Sequence, residues 1–534
     1  MAEQPTVAEA IAEVLAGYGV KRIFGIPGGG SSLDVIAACA GRGIDYVLTH
    51  TETAAAIMAS VTAEITGAPG VVSVGLGPGA AAVANGVAYA SLDRAPLLVL
   101  TDSYQPGSHD FITHQKYDHQ ALFAPIAKGS ARARPDDVAE VLDGLLRTAL
   151  ATPQGPVHMD LSAADAGQPT APPMPRTATE GAVAGDVAGA RKLLDGARRP
   201  VVVAGLQARG EASARAVREL AERLSCPAMT TYKAKGVVPD DHPHYAGILT
   251  GGRTEAPWLA DCDLLVLCGL DPVELIAAPW PYDMPVLEIA EARIRPHYAE
   301  PAASLFGPLP AALDALDGAG LPANWGEEPA PLVLPGSAGN GLSPIAVVRA
   351  VRAAAPDETR AAADAGAHIL PVMATWSARR PHDLMISNGL STMGFALPAA
   401  IASALAEPDR LAVALTGDGG LTMCLAELAT AARNRLPVVV VVLNDAALSM
   451  IDLKQQQRGH DSRGVRYPAL DFAAIAEGAG CRAWRAADKA TLDEALAQAF
   501  ACGGPALIDV AVDPTEYRAQ FEAIRGAPGA AART

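Results

Sequence analysis

The chain has 534 residues, and at about 150 residues per domain this length predicts three to four domains. Its 41 basic and 58 acidic side chains give a formal net charge of −17, which opposes binding to nucleic acids and other polyanions. Half of the residues are hydrophobic and only 4% are aromatic, which excludes disorder for most of the chain and favours Val- and Leu-rich parallel sheets under Ala-rich helices.

No targeting or membrane-spanning segment is predicted. Residues 1–6 contain neither a basic stretch nor a long apolar run, so we expect no secretory signal and a cytoplasmic protein. The longest apolar run, residues 437–443, is far shorter than the roughly 20 residues that cross a bilayer, so we expect a buried strand there and no membrane partner. The seven cysteines are scattered without a Cys-x-x-Cys pair, and we interpret them as buried thiols rather than as zinc ligands or disulfides.

The first part of the chain alternates helix and strand patterns, which is typical of a parallel α/β sheet. Thr6 is the predicted N-cap of the first helix. The predicted elements, in chain order, are a helix at 6–17, a strand at 22–26, a helix at 32–39, and strands at 46–48, 70–74 and 96–100. Ligands of such sheets bind at the carboxyl ends of the strands.

Two stretches rich in proline, with glycine or threonine, are predicted linkers: residues 166–185 and 322–341. They divide the chain into an N-terminal domain (1–165), a central domain (186–325) and a C-terminal domain (342–534). The predicted strands of the later domains are 200–204, 264–267, 411–415, 438–443 and 506–510. The predicted fold is therefore α/β, with three doubly wound parallel-sheet domains.

The segment most informative for function is a strand that ends on Gly417-Asp418-Gly419-Gly420 and leads into a helix predicted at 421–433. Glycine lets backbone amides approach an anion, and Asp418 at the same turn would hold a hard cation against that anion. Asp445 follows the next strand, 27 residues later, and can converge with Asp418 on one ion. Each piece alone is an ordinary turn, but the two together predict a Mg²⁺ site.

This pattern resembles the Gly-Asp-Gly plus Asn motif with which thiamine diphosphate enzymes bind the Mg²⁺-diphosphate. Residues 24–28, 77–79, 92–96 and 392–400 stand in the same order as segments of the acetolactate synthase-like branch, so the resemblance covers nearly the whole chain. It implies a pyrimidine-binding, a central and a diphosphate-binding domain. Asp445 departs from the family, which usually has Asn there, and its charge alters the expected metal affinity and pH dependence.

The resemblance implies roles for individual residues around the pyrimidine. Glu52 would meet the pyrimidine N1′ and promote the imino form that deprotonates the thiazolium C2, whereas the residues alone favour a solvated Glu at a helix start. Met393 would prop the cofactor into its V shape, with a core methionine as the alternative. Gln115 would contact the pyrimidine region and the substrate. His114 beside it is either a proton shuttle or an exposed loop histidine.

The resemblance also implies the remaining contacts of the cofactor. Asp418, Asp445 and the Ala447 carbonyl would hold Mg²⁺, and the Ser391 carbonyl would accept from the 4′-amino group. The other expected cofactor-binding residues are Pro27, Gly28, His368, Gly417, Gly419, Gly420 and Leu448. The basic segment 454–466 either screens an anionic substrate or is the solvated face of a helix.

The predicted activity is cleavage or ligation next to a carbonyl, with thiamine diphosphate and Mg²⁺: decarboxylation of an anionic 2-oxo acid, followed by protonation or carboligation. One alternative is a carboxyethylarginine synthase-like enzyme, which the chain resembles at 113–115 and 230–237. Another is a flavin-containing oxidoreductase, but residues 270–274 differ from the Phe-Asp-Asp-Arg-like sequence of flavin-binding relatives, so FAD is not expected. The glycine clusters at 28–30 and 75–79 do not form a dinucleotide fingerprint.

The oligomeric state also follows from the resemblance. It implies that Glu52 and Asp418, 366 residues apart, act on one cofactor from two subunits. We therefore predict a homodimer or a dimer of dimers.

Overall fold

The computed structural model describes residues 4–105, 107–108, 111–173, 182–252, 255–275, 280–295, 298–323, 325 and 342–525. These residues form three β-sheets, in an N-terminal, a central and a C-terminal unit. Parts of both predicted linkers, residues 174–181, 324 and 326–341, lie outside the described residues, as do residues 1–3 and 526–534.

The N-terminal sheet is parallel throughout. Its strands are β1 (Arg22–Ile26), β2 (Asp45–Leu48), β3 (Gly70–Val74), β4 (Leu97–Ser103), β5 (Ser130–Arg132) and β6 (Val157–Ser162). Its helices are α1 (Val7–Gly17), α2 (Ser31–Gly41), α3 (Glu52–Thr66), α4 (Pro78–Ala82), α5 (Ala84–Leu92), α6 (His119–Phe123), α7 (Val138–Leu150) and α8 (Ala163–Ala166). The strand order is β2-β1-β3-β4-β6-β5.

Alternating strand residues of this sheet enter two different cores. Ile23 and Val71 pack with the α1 and α7 side, whereas Phe24 and Val72 pack with the α3 side. This two-sided burial is what a doubly wound sheet requires. Thr6 caps α1 as predicted, since its hydroxyl accepts from the Glu9 amide and its own amide donates to the Glu9 carboxylate.

The central sheet has seven strands in the order β10-β9-β8-β11-β12-β13-β7. These are β7 (Ala184–Gly185), β8 (Pro200–Ala204), β9 (Ala228–Thr230), β10 (Tyr245–Ile248), β11 (Leu264–Cys268), β12 (Val286–Ala290) and β13 (Ala303–Phe306). The helices are α9 (Val187–Gly196), α10 (Glu211–Leu224), α11 (Ala256–Leu259) and α12 (Leu309–Asp314), with short 3₁₀ helices at Leu206–Arg209 and Pro272–Glu274. The pairing is parallel except at the edge, where β7 runs antiparallel to β13 because it brings the chain into the unit and follows no crossover helix.

The C-terminal sheet is again parallel, in the order β15-β14-β16-β17-β19-β18. Its strands are β14 (Arg360–Ala363), β15 (Leu384–Ile386), β16 (Ala412–Gly417), β17 (Val438–Asn444), β18 (Arg482–Ala486) and β19 (Ala506–Ala511). Its helices are α13 (Pro344–Ala354), α14 (Ile369–Thr375), α15 (Ala396–Ala406), α16 (Asp418–Thr422), α17 (Glu427–Arg433), α18 (Ser449–Gln457), α19 (Phe472–Gly478), α20 (Lys489–Ala501) and α21 (Tyr517–Arg525), with a short 3₁₀ helix at Pro514–Glu516 before α21.

The helix predicted at 421–433 is wrong in its bounds. The chain enters α16 at Asp418, directly after β16, and a turn at 423–426 separates α16 from α17. The turn is closed by hydrogen bonds between residues three apart, such as the Met423 amide to the Gly420 carbonyl. Hydrophobic periodicity does not distinguish this tighter turn from a continuous helix.

The N-terminal and C-terminal units share one hydrophobic core. Helix α3 packs along α15, and alanines on both helices, including Ala55 and Ala399, are fully buried there. Small side chains let the two helix backbones approach closely, and Gly86 of α5 packs against Ala56 in the same way. None of the described helices combines the length and the apolar character needed to cross a bilayer.

Candidate active site

A cavity of about 450 Å³ lies at the carboxyl ends of three strands of the C-terminal sheet. Ala363, Gly417 and Leu443, at or near the ends of β14, β16 and β17, line its floor. The strand order reverses between β14 and β16, and parallel α/β sheets bind their ligands at such a switch point. The volume is in the range of small-molecule and cofactor sites.

The glycines after β16 leave space that side chains would fill. A Cβ on Gly420 would lie 2.2 Å from the Asp364 carboxylate, and one on Gly419 would lie 2.7 Å from Leu448. Only glycine lets this turn approach both neighbours, which gives the predicted Gly-Asp-Gly-Gly turn a physical reason.

Asp418 and Asp445 lie together at this cavity. Asp418 is buried, and among the described residues its Oδ2 has no hydrogen-bond partner. Asp445 Oδ2 accepts a 2.5 Å hydrogen bond from the Ser449 hydroxyl. Burial raises the pKa of Asp418, and burial, reinforced by the charge of Asp418, raises the pKa of Asp445 to about 6. Two neighbouring carboxylates with an unpartnered oxygen form a donor set suited to a hard cation.

Ala447, two residues after Asp445, also lines the cavity. Ala447 pairs with Arg466 in an isolated antiparallel bridge, and the hydrogen bonds of that bridge are made by the flanking residues: the Leu448 amide to Val465 and the Tyr467 amide to Ala446. In such a non-hydrogen-bonded pair the bridge does not use the carbonyl of the central residue. This pairing therefore leaves the Ala447 carbonyl unused.

His368 lines the same cavity beside Gly417. Its ring lies 3.2 Å from where a Gly417 Cβ would stand, and its buried Nε2 has no partner among the described residues. Burial lowers the pKa of His368 to about 4, so the imidazole is neutral near pH 7. Ser391, Met393 and Leu448 also line the cavity, and their roles toward a cofactor stay predictions.

The other predicted residues do not line this cavity. Glu52 begins α3, where Thr51 caps the helix by accepting from the Ala54 amide, and a Glu52 carboxylate oxygen lies 3.6 Å from where a Gly79 Cβ would stand. Within one chain, Glu52 is therefore not among the residues that line the cavity of Asp418.

Pro27 and Gly28 precede α2. The side chain of Asp102 accepts hydrogen bonds at the N-terminus of this helix. Asp102 accepts from the Ser31 hydroxyl at 2.6 Å and from the Ser32 amide at 2.8 Å, and a Cβ on Gly28 would lie 2.2 Å from Asp102. The glycine cluster at 28–30 therefore permits a close approach of Asp102, which agrees with the missing dinucleotide fingerprint.

Gln115 and His114 lie on an exposed loop that is attached to Gly77. Gln115 has a positive φ of 54°, and a Cβ on Gly77 would lie 2.6 Å from the Gln115 Cβ. The Tyr117 hydroxyl donates to the Gly77 carbonyl at 2.7 Å, while the His114 carbonyl accepts from Tyr104. We call Glu52, Gly77, Gly79 and Gln115 the Glu52 cluster, since these four residues are neighbours at one edge of the N-terminal sheet.

The basic residues of segment 454–466 do not all lie at the cavity. Lys454 on α18 lines the cavity, whereas Arg466 forms a 2.6 Å ion pair with Asp452 and Arg463 is exposed beside Asp461. Lys454 alone of these places a positive charge at the cavity.

Two buried acidic residues near the site, Asp364 and Glu427, were not predicted from the sequence. Asp364 accepts from the amides of Gly394 and Phe395 and from the Thr416 hydroxyl, and burial raises its pKa to about 6. Glu427 accepts from the amides of His50 and Thr51 at 3.0 Å, directly before Glu52. No local sequence pattern marks these contacts, because these donors are distant from Asp364 and Glu427 in the sequence.

Comparisons with known proteins agree with this geometry. Three family descriptions match the chain: "Thiamine pyrophosphate enzyme, N-terminal TPP binding domain" at residues 5–122, the central domain at 187–316, and "C-terminal TPP binding domain" at 364–510. The acetolactate synthase isozyme 1 large subunit of Escherichia coli is 31% identical, covering 96% of this chain and 94% of the relative. A probable 2-ketoarginine decarboxylase of Pseudomonas aeruginosa is 30% identical over 95% of this chain and 94% of the relative.

A solved structure shows the same fold. The thiamine diphosphate-dependent 4-hydroxybenzoylformate decarboxylase of Rhodococcus jostii superposes with a TM-score of 0.82 at 24% identity, covering 95% of this chain and 99% of the other.

Proposed function

The chain belongs to the thiamine pyrophosphate (thiamine diphosphate) enzymes related to acetolactate synthase, and on that premise we propose that it uses Mg²⁺ with this cofactor to decarboxylate an anionic 2-oxo acid. The product left after loss of CO₂ is then protonated or joined to an acceptor. The observation that carries the proposal is the cavity at the strand switch point, which holds Asp445 together with Asp418, whose Oδ2 has no hydrogen-bond partner in the part of the chain that the structure describes.

The residues of the cavity fit the Mg²⁺-diphosphate. Asp418, Asp445 and the Ala447 carbonyl would supply the protein oxygens of an octahedral site, with phosphate and water oxygens in the other positions. His368, neutral and buried, would offer its Nε2 to the diphosphate. When bound, thiamine diphosphate supplies the nucleophilic carbon and the electron sink of the reaction.

We further propose that two copies of the chain share each site. The Glu52 cluster does not line the cavity of its own chain, so the cavity would be completed by Glu52 of the partner subunit. Exposed apolar side chains support an interface on both sides: Phe111 and Tyr117 flank the Gln115 loop, and Met423, 59% exposed, follows α16. In this arrangement Glu52 would exchange a proton with the pyrimidine, and Gln115 would orient the substrate.

Charge supports the choice of an anionic substrate. The protein has a net charge of −17, yet Lys454 stands at the cavity together with the metal site, and these would attract and orient a carboxylate. The relatives' names describe different 2-oxo acids, so the side chain of the donor is left open to experiment.

We also propose that the reaction needs no flavin. At the switch point of the central sheet, beside the carboxyl ends of β8 and β11, a cavity of about 220 Å³ is lined by Arg94, Leu206 and Asp271, and this volume is below the usual range of cofactor sites. Arg94 holds Asp271 with two hydrogen bonds of 2.9 and 3.1 Å, and the Glu274 carboxylate accepts from the Leu206 amide at 2.8 Å. An absorbance scan of the purified protein tests this point, because bound FAD absorbs visible light.

The decisive experiment supplies thiamine diphosphate, Mg²⁺ and a panel of 2-oxo acids, and measures CO₂ release and product mass. We expect CO₂ from at least one acid, with Asp418→Ala as the inactive control. An aldehyde product identifies a decarboxylase, a condensed product a carboligase, and a product with a new C–N bond the carboxyethylarginine synthase-like alternative. Cofactor binding without CO₂ release from any acid would contradict the proposed reaction.

A further inference from the structure

A buried ionic cluster joins the N-terminal and central units. We call Glu64, Asp93, Arg209 and Lys233 the junction cluster; the two acids belong to the N-terminal unit and the two bases to the central unit. Lys233 Nζ lies 2.7 Å from Asp93 and 3.2 Å from Glu64, and Arg209 lies 2.5 Å from Glu64. No side chain of the cluster is more than 10% exposed, and its charges balance.

The junction cluster also contacts the C-terminal unit, whose backbone amides donate to Asp93. Asp93 accepts from the Asn388 amide at 2.7 Å and from the Leu390 amide at 3.4 Å, and the Ser387 hydroxyl lies 3.4 Å from its second oxygen. Lys233 also donates to the Ile386 carbonyl at 3.4 Å. One carboxylate and one ammonium group thus fix the start of segment 387–391.

This segment is a wall of the cavity. Ser387, Asn388 and Ser391 line it, and so does Tyr232, the residue before Lys233. Ser391 adopts a positive φ of 53°, a backbone conformation that a residue with a Cβ occupies only when its surroundings hold it. The junction cluster provides that restraint on one side of the segment, and the Ser387 hydroxyl, which accepts from the Thr392 amide, provides it on the other.

The stability of the fold does not by itself explain a buried ionic cluster of this kind. Removing two acids and two bases from water is costly, and apolar side chains of similar volume often stabilise a fold as well or better. Buried charges add directional contacts. Hydrogen bonds to a charged acceptor are strong, and the 2.7 Å bond from the Asn388 amide to Asp93 fixes the position of that amide, with the two 3.4 Å contacts of Leu390 and Ser387 beside it.

We propose that Asp93 and Lys233 are positioning residues that hold the cavity wall, segment 387–391 and Tyr232, in its cofactor-binding conformation before the cofactor arrives. The inference rests on the proposed function in one respect, namely that this wall faces thiamine diphosphate.

The first test uses the unaltered protein without cofactor. Amide hydrogen exchange of the peptide that contains residues 387–391 measures whether the wall is already fixed. We expect the amides of Asn388 and Leu390 to be protected, with little further protection when thiamine diphosphate and Mg²⁺ are added. Rapid exchange that becomes slow only after the cofactor binds would overturn the proposal.

The second test compares two lysines of one loop. Lys235 is as buried as Lys233 and pairs with Asp240 at 2.7 Å, but Asp240 belongs to the central unit, and among the described residues neither side chain has a hydrogen bond to segment 387–391. We expect Lys233→Met and Lys235→Met both to lower the melting temperature. Only Lys233→Met should speed exchange of the Asn388 and Leu390 amides. It should also slow exchange of the C2 proton of the bound cofactor by about 100-fold, the cost of a displacement near 1 Å.

Equal effects of the two lysine variants on these amides and on C2 exchange would refute the positioning role. If Lys233→Met does not fold, Asp93→Asn, which keeps the side-chain volume, carries the same expectation, and the test on the unaltered protein needs neither variant. Because amide exchange requires no cofactor or substrate, its result is independent of the proposed function. Failure of the unaltered protein to bind thiamine diphosphate would instead contradict the proposed function alone.

Discussion

Asp445→Asn tests the metal site through its dependence on pH. A carboxylate must lose its proton before it binds Mg²⁺, so a raised pKa makes metal binding weaker in acid. Burial and the charge of Asp418 place the pKa of Asp445 at about 6. At pH 5, one unit below that value, only about one tenth of Asp445 is ionised, and the apparent Mg²⁺ affinity of the unaltered protein should be about tenfold below its plateau at pH 8.

The variant removes this proton together with one negative charge. At pH 8 we expect Asp445→Asn to bind Mg²⁺ more weakly than the unaltered protein, because an amide oxygen replaces a carboxylate. On acidification its affinity should fall less steeply, so the two proteins should approach each other by pH 5. The titration of the diphosphate itself is common to both proteins and cancels in the difference. Burial keeps the pKa of Asp418 raised in both proteins, and loss of the neighbouring Asp445 charge favours ionisation of Asp418 in the variant, which also makes the fall in affinity less steep.

The assay is a Mg²⁺ titration of the protein with thiamine diphosphate present, followed by tryptophan fluorescence at pH 8, 7, 6 and 5. Asp461→Asn is a suitable control, since it removes the same charge from a side chain that is 84% exposed and paired only with the exposed Arg463. If the affinities of Asp445→Asn and the unaltered protein fall in parallel between pH 8 and pH 5, Asp445 does not titrate as a metal ligand and the reasoning fails.

Three further predictions address other parts of the site. Asp418→Ala should lose Mg²⁺ binding and activity while its circular dichroism stays native; turnover at low Mg²⁺ would exclude Asp418 as a ligand. Glu52→Gln should still bind the cofactor but slow C2 proton exchange by about 100-fold or more, and mixing it with Asp418→Ala under subunit exchange should restore partial activity; an active monomer by light scattering would exclude a shared site. Burial raises the pKa of Glu274 to about 7 from 4.5, so its contribution to folding is present below pH 4.5 and is lost as the pH rises through 7. Glu274→Gln should therefore gain thermal stability relative to the unaltered protein between pH 5 and pH 8, and a constant difference in melting temperature would contradict this assignment.

Local sequence patterns were enough to predict much of the fold. The strands Arg22–Ile26 and Gly70–Val74 have the predicted bounds, since turn residues flank short apolar runs on both sides. The break between α16 and α17 and the edge strand β7 were not predicted. Neither a turn closed by hydrogen bonds between residues three apart nor a two-residue edge strand produces a hydrophobic periodicity in the sequence. Strand β10, Tyr245–Ile248, was missed for the same reason, being short and only partly buried.

Some contacts of the candidate site could likewise be predicted from the sequence, and others could not. Asp418 and Asp445 lie at one cavity because each stands at the end of a neighbouring parallel strand, which sequence spacing reveals. The contacts of Glu427 and Lys233 depend on partners from other units, and those described for Asp364 on residues at least 30 positions away in its own unit, so no local pattern indicates them. The catalytic and metal-binding roles of the residues, from Glu52 to Ala447, stay predictions for the experiments above.

The continuous alanine-rich contact between α3 and α15 also limits how the protein can move. A hinge between the N-terminal and C-terminal units would separate two tightly packed helices and expose a core common to both. The two units therefore behave as one rigid body, and admission of substrate and release of product must be accommodated by smaller elements. The exposed loop that carries His114 and Gln115 contacts Gly77 through the Tyr117 hydroxyl and the backbone of Gln115, and a loop of this kind can be displaced without opening the core that the two units share.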